Sequence, residues 1–171
     1  MIYEPSEDSY LILKNIKEYA CGKKVLDMGT GSGILAKEAE KYAREITASD
    51  INEECALEGI KFIRSDLFEN IKDKYDLIIF NPPYLPRDNC EDKSSAVTTT
   101  GGKNGYEVIA KFLSQAGNHL FPKGKMLIVF SSLTGKAKVN SLIHQNDFEF
   151  NLLESAKIDF ETLYCCLIYR R

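Results

Sequence analysis

The sequence predicts an α/β fold: a mainly parallel sheet with helices on both faces. Three observations carry that expectation. Short apolar runs alternate with amphipathic stretches, the pattern of repeated strand–helix units. A glycine-rich turn, Gly29-Thr30-Gly31-Ser32-Gly33, follows the first apolar run. The remaining residues with chemical potential fall where successive strands end, and ligands in such folds bind beyond those carboxyl ends.

Taken in order, Ser6 suits a helix N-cap, with Glu7 and Asp8 favoured by the dipole in the first turn. Tyr10, Leu13 and Ile16 then repeat at helical spacing, so the first helix is expected over 6–19. A short buried strand over 23–27 leads into the glycine turn, and a helix over 34–42 follows. Strands are expected over 45–49, ending at Asp50, over 60–63, ending near Asp66, and over 75–80. The last of these runs straight into Asn81-Pro82-Pro83-Tyr84. The stretch 85–104 is polar, rich in Ser, Thr and Gly, and without period, as lids and binding loops often are. A helix over 105–118, a strand over 125–131, a helix over 136–145 and two strands over 148–155 and 161–170, read as an antiparallel pair, complete the chain. No internal repeat or linker divides it, so residues 1–171 read as one domain.

Composition narrows the function classes. Apolar residues make up 44% and charged residues 27%, the balance of a globular chain. A net charge of −3 and no basic block argue against direct gripping of nucleic acid, which needs Lys and Arg for phosphate. The acidic, proline-containing start MIYEPSEDSY is not a signal peptide, and the apolar runs are too short for a bilayer, so a cytoplasmic protein without a membrane span is expected. Five cysteines occur, an odd number with no C-x-x-C spacing, and His119 and His144 stand apart from any ligand-like pattern. No metal site or disulfide framework is expected, only reduced, mostly buried thiols. Cys165 and Cys166, adjacent in an apolar run, should point to opposite faces of a strand.

The first strand end has the character of a cofactor site. Glycines let the backbone turn tightly and approach a ligand. Asp50 lies 21 positions after Gly29, where a ribose-binding acid sits at the end of a second strand. A dinucleotide site shares that arrangement, but its G-x-G-x-x-G fingerprint demands glycine at position 34, which is Ile34 here; the third glycine is Gly33. Acids surround the turn (Asp27, Asp50, Asp66), which suits a ligand with an ammonium and a sulfonium better than a pyrophosphate. S-adenosyl-L-methionine is such a ligand. Asp27 is then expected toward its ammonium group, Asp50 at the ribose hydroxyls and Asp66 at the adenine amine.

Asn81-Pro82-Pro83-Tyr84 has the character of a chemical site. An amide or exocyclic amine nitrogen is a poor nucleophile because its lone pair is delocalised. Two acceptors aimed at its N–H groups orient it and favour the charge that develops on methyl transfer. The side-chain oxygen of Asn81 and the carbonyl of Pro82 can supply them, proline rigidity holds the loop open, and Tyr84 offers a flat face to a planar target.

Five segments together resemble the HemK-like, PrmC-related N5-glutamine methyltransferases, in their short branch without an extra N-terminal domain. They are Tyr3-Glu4-Pro5-Ser6-Glu7-Asp8-Ser9-Tyr10-Leu11, the loop DMGTGSG, SDIN at Ser49–Asn52, NPPY, and Gly101-Gly102-Lys103-Asn104-Gly105. The resemblance runs to about position 110 and is similar to the catalytic subunit of the eukaryotic and archaeal release-factor enzymes. It implies a Rossmann-like class I methyltransferase with a seven-stranded sheet and an antiparallel C-terminal strand. It further implies methylation of the glutamine in the Gly-Gly-Gln motif of a class I translation release factor. By the same resemblance Ser9 and Asp27 face the methionine end of the cofactor, and Gly29 and Gly31 lie under it. Asp50 sits at the ribose, Asp66 and Leu67 at the adenine, and Asn81, Pro82 and Tyr84 at the target amide. A heterodimer with a small zinc-binding activator subunit is implied too.

One departure stands out. Only nine residues, Ile51–Gly59, separate Asp50 from the strand at Ile60, too few for the usual crossover helix. Ile60 and Phe62 are therefore expected on a thinly covered edge, with a partner, the activator, docking along Ile60–Ile63. Two other enzyme readings compete: N6-adenine methylation of DNA or RNA, because NPPY serves that amine equally well, and protein lysine methylation. A non-enzymatic scaffold would require a damaged NPPY, which is intact.

Overall fold

A computed structural model describes residues 5–87 and 99–171 of the chain. Tyr3, Glu4, Cys90 and the middle of the 85–104 stretch lie outside the described residues.

Seven strands form one sheet: β1 (Lys24–Met28), β2 (Glu45–Asp50), β3 (Lys61–Arg64), β4 (Tyr75–Phe80), β5 (Leu120–Ser131), β6 (Phe148–Ile158) and β7 (Glu161–Arg170). Their order is β3-β2-β1-β4-β5-β7-β6. The first five run parallel, and β7 pairs antiparallel with both β5 and β6. The expected mainly parallel sheet with an antiparallel C-terminal strand is what forms.

Helices α1 (Glu7–Ala20) and α2 (Ile34–Glu40) cover one face, α3 (Glu107–Ala116) and α4 (Lys136–Gln145) the other. Buried on both sides, the central strands are continuous apolar runs whose side chains alternate between two cores. Leu26, Ile78, Phe80, Met126 and Ile128 meet Ile109, Phe112, Val139 and Ile143. Val25, Leu77, Ile79, Leu127 and Val129 meet Leu11, Ile12, Ile16 and Leu35 on the opposite face. Cys166 joins the first core and Cys165 the second, as strand alternation requires. Cys55 is buried as well and Cys21, at the end of α1, is exposed, so the described thiols are mostly buried, as expected.

Several boundaries shift for local reasons. The buried face of α1 is set by Asp8, Ser9, Leu11, Ile12, Ile16 and Ala20; Tyr10 is half exposed, because the stripe is rotated from the one read through Tyr10, Leu13 and Ile16. Strand β5 starts five residues early, at Leu120, which pairs with Tyr75 across an irregular register.

The short crossover from β2 to β3 contains only a 3₁₀ turn, Glu53–Cys55, capped by the Asn52 side chain accepting from the Glu54 amide at 3.0 Å. β3 is the terminal strand, as expected, but the thin cover expected at Ile60 is corrected here. Ile60 precedes β3 and is buried against Ala36 and Ala48, with Leu57 and Phe62 packed around it. The loop folds back over the apolar surface that a helix would have covered. Phe62 and Ile63 are half-buried.

Phe112 anchors α3 to the sheet, fully buried with its ring 4.6 Å from Phe80 and 5.4 Å from Phe68. Phe112→Ala should destabilise the fold by about 3–5 kcal/mol, the usual cost of emptying a buried aromatic site. Urea unfolding would measure it, and a loss below about 1 kcal/mol would mean that α3 is not anchored through this ring.

Candidate active site

The site is created by strand register. Met28, the last residue of β1, pairs with Phe80, the last of β4. The next residues, Gly29 and Asn81, therefore leave the sheet side by side, at the point where strand order reverses from β1 to its neighbour β4. A cavity of about 450 Å³ opens there. Ser9, Gly29, Gly31, Asp50, Asp66, Leu67, Asn81, Pro82 and Tyr84 all line it. Of the site residues read from the sequence, only Asp27 is absent from the wall.

The glycine turn is held from below and from the side. Thr30 donates its amide to Ser49 O (2.9 Å) and its hydroxyl to Asp27 Oδ2 (2.7 Å). Gly31 donates its amide to Asp50 Oδ2 (3.0 Å), and Asn52 donates to Asp50 Oδ1 (3.0 Å). Asp50 thus joins the end of β2 to the turn after β1. Gly33 opens α2 with φ 79°, and a side chain there would collide with Leu57 of the short crossover. Only glycine suits both demands.

Asp27 is fully buried beneath the turn, not beside the cavity. Its Oδ1 has no hydrogen-bond partner among the described residues. Removal from water is the main cause that pushes its pKa up to about 7, against the lowering effect of the Thr30 hydroxyl and the Ala36 amide.

At the opposite end Asp66 pairs with Lys111 of α3 at 2.8 Å, both half exposed on the cavity wall. Lys111 was not foreseen; it stands 45 residues away, brought in only by packing of α3. Leu67 takes φ 48°, an uncommon conformation for a branched residue. Ser65 holds it there by donating its hydroxyl to Leu67 O at 2.7 Å.

The NPPY segment is clasped by α1 and by the glycine-rich segment after the polar loop. Asn81 donates from Nδ2 to Ser9 Oγ (3.3 Å), while its Oδ1 is buried without a hydrogen-bond partner among the described residues. The Tyr84 hydroxyl donates to Asp8 Oδ2 at 2.9 Å. Asp8, read from the sequence only as a dipole-favoured acid, is 2% exposed. Tyr84 O accepts from the Thr134 hydroxyl (2.8 Å), and Gly101 donates its amide to Leu85 O (2.9 Å). A side chain at Gly101 would stand 2.6 Å from Pro83 O, so the two backbones meet only because that residue is glycine.

A cavity at a Rossmann-like switch point, floored by a G-x-G-x-G turn and walled by NPPY, defines a methyltransferase. The chain matches the methyltransferase small domain over residues 6–151. It is 37% identical over 175 residues to a provisionally named protein N5-glutamine methyltransferase of Methanocaldococcus jannaschii, covering 95% of this chain and 88% of that one. It is 33% identical to the release factor glutamine methyltransferase of Lactococcus lactis over 67% of this chain and 49% of that protein, so it spans about half of that relative's length. Among solved structures it superposes with TM-score 0.83 and 26% identity, over 99% of both chains, on a chain of the E. cuniculi Mtq2-Trm112 complex, described as responsible for methylation of the eRF1 translation termination factor. The chain belongs to the protein N5-glutamine methyltransferase family, within the methyltransferase small domain class.

Because Asp27 takes up its proton more readily when folded, its stabilising contribution is complete below about pH 4 and is lost as pH rises through about 7. Asp27→Asn cannot ionise. Its stability relative to the natural chain should therefore improve steadily from about pH 4 to about pH 7 and stay level above. Urea titrations at a series of pH values test this, and a difference independent of pH would refute it.

Proposed function

We propose that this chain transfers a methyl group from S-adenosyl-L-methionine to the side-chain amide nitrogen (N5) of a glutamine, in the Gly-Gly-Gln motif of a class I translation release factor. The observation that carries this reading is Asn81 Oδ1, a buried acceptor beside the glycine turn with no hydrogen-bond partner among the described residues. Leaving such an atom unmet costs about 1–3 kcal/mol. A substrate N–H removes that cost.

The donor set fits the cofactor. Acids and hydroxyls line the cavity, Lys111 is the one cation on its wall among the described residues, and it is already paired. That suits an ammonium, ribose hydroxyls and an adenine amine, and it does not suit a pyrophosphate. Gly29 forms a floor with no side chain, 3.5 Å in projected Cβ distance from Phe80. In this reading Gly29 and Gly31 lie under the methionine portion, with Ser9 on the wall. Asp27 acts through the turn that it holds. Asp50 takes the ribose, and Asp66 with Leu67 takes the adenine. Bound there, S-adenosyl-L-methionine supplies an electrophilic methyl group on a sulfonium, whose thioether leaves without needing an acid.

The protein's task is then to present a weak nucleophile. Asn81 Oδ1 and the Pro82 carbonyl accept from the two N–H groups of the target amide, fix its plane and share the positive charge that develops on nitrogen, which then releases one of its two protons to solvent and leaves a neutral N-methyl amide. Tyr84, held at its hydroxyl, keeps the flat pocket in shape for a planar group. An adenine amine has the same donor pair. The acidic balance of this chain and its relatives' protein substrates favour glutamine.

A small partner subunit of the Trm112 kind, zinc-binding as the resemblance implies, completes the proposal. It docks along β3, the terminal strand of the sheet, through Phe62 and Ile63. Incubation of the chain with labelled S-adenosyl-L-methionine and a release factor, with and without that subunit, followed by mass spectrometry of the modified residue, tests substrate and partner together. Label on glutamine supports the reading; label confined to nucleic acid or lysine defeats it. Asn81→Ala should lower kcat by about 10²–10³-fold with cofactor affinity retained, the scale for losing one preorganised polar group. Undiminished turnover would remove Asn81 from its role.

A further inference from the structure

Asp8 and Ser9 begin α1, 72 to 76 residues before the NPPY segment, yet they bond both of its polar side chains. Asp8 Oδ1 accepts from the Ser6 hydroxyl (2.9 Å), the Ser9 amide (2.6 Å) and the Ser9 hydroxyl (3.3 Å), while Oδ2 accepts from the Tyr84 hydroxyl (2.9 Å). All four groups converge on a carboxylate that is 2% exposed.

The chain of bonds has a direction. An ionised carboxylate only accepts, so the Ser9 hydroxyl must spend its single proton on Asp8. Its oxygen can then only accept from the next group, which is the Nδ2 of Asn81. An Asn side chain has two ends of nearly equal shape and opposite polarity, and packing alone does not distinguish them. Here the polarity of the relay does. With Nδ2 committed to Ser9, Oδ1 is left as the acceptor beside the cavity. Reversing the Asn81 amide would set a carbonyl oxygen against a hydroxyl with no proton left to give, and would present N–H groups to the N–H groups of a substrate amide.

We infer that Asp8 is a positioning residue which, through Ser9, fixes the orientation of the Asn81 amide and, through the Tyr84 hydroxyl, the wall beside it. Asp8 lies on the cavity wall, and this role does not require it to touch substrate or cofactor. It acts by specifying which atom of Asn81 faces them. The inference rests on the proposed function for the meaning of that orientation, but the relay itself does not.

The test uses the whole chain with its cofactor. Asp8→Asn keeps the shape but can donate as well as accept, so the direction of the relay is no longer dictated. We expect kcat on the release-factor substrate to fall about 10-fold or more, with KM and cofactor Kd within about twofold. Ser9→Ala should lower kcat to a similar extent, with cofactor Kd free to change because Ser9 itself lines the wall; Ser9→Thr should recover most of the natural rate because it keeps the hydroxyl, and in kcat the double variant should be little worse than either single one. A readout independent of substrate is the side-chain amide signal of Asn81 in ¹⁵N-resolved NMR. Its hydrogen-bonded proton should be distinct in the natural chain and in Ser9→Thr, and should move toward the free-amide position in Asp8→Asn and Ser9→Ala. Unaltered Asn81 signals in folded Asp8→Asn and Ser9→Ala would overturn the inference whatever the substrate. Altered signals with no glutamine methylation by the natural chain would retain the relay and defeat the proposed function. Should Asp8→Asn fail to fold, Ser9→Ala and its Ser9→Thr counterpart decide the matter alone.

Discussion

The pairing of Met28 with Phe80 determines where chemistry is possible in this protein. Parallel strands deliver their carboxyl ends to one edge of the sheet, and here two strands far apart in sequence end in the same row. A glycine turn leaves one and an asparagine leaves the other. A slip of one residue would turn every side chain of the strand to the opposite core, and the two apolar faces, each filled by its own helices, forbid it. The stability of the cores and the geometry of the cavity are thus one constraint.

Much of this architecture is legible in the chain because buried parallel strands need continuous apolar runs and because glycine turns have few other uses. Tyr75–Phe80, Lys136–Gln145 and Glu161–Arg170 form as expected, and the cavity collects every site residue anticipated at a strand end except Asp27. What escaped the sequence has a common character. Asp8 looks like any acid in a first helical turn; only the tertiary approach of Tyr84 and the closing of solvent above it reveal otherwise. Lys111 sits on a helix whose rotation about its axis decides whether it meets Asp66. Gly101 lies in a polar stretch with no period, and its need to be glycine comes from Pro83, 18 positions earlier. Each of these depends on a distance between segments that a linear pattern does not encode. The thin cover expected at Ile60 failed for a related reason: a short loop without a helix can still place one leucine where it covers an isoleucine.

The acids around the glycine turn divide the labour by burial. Asp50, partly solvated, spends its two oxygens on the Gly31 and Asn52 amides and so stitches neighbouring strand ends together. Asp27, out of water, has one oxygen fixed by Thr30 and one without a hydrogen-bond partner among the described residues, and is the acid whose ionisation moves into the neutral range. Asp66 remains at the surface with a lysine. Three residues that read alike as a cluster of negative charge therefore differ in solvation, partner and freedom to respond to a ligand.

The compact connection Ile51–Gly59 does more than shorten the path from β2 to β3. Ile51, Asn52 and Cys55 form part of the cavity wall, and Leu57 leans on Gly33 at the start of α2. A full crossover helix would carry its own ladder of backbone bonds and keep its shape whether or not anything lay beside it. A single 3₁₀ turn has almost none, so its order comes from what it touches on either side. The wall that Ile51, Asn52 and Cys55 supply is therefore held by the Asn52 cap, by Leu57 against Gly33 and by Ile60 against Ala36 and Ala48, so the same few side chains cover the sheet edge and shape the cavity.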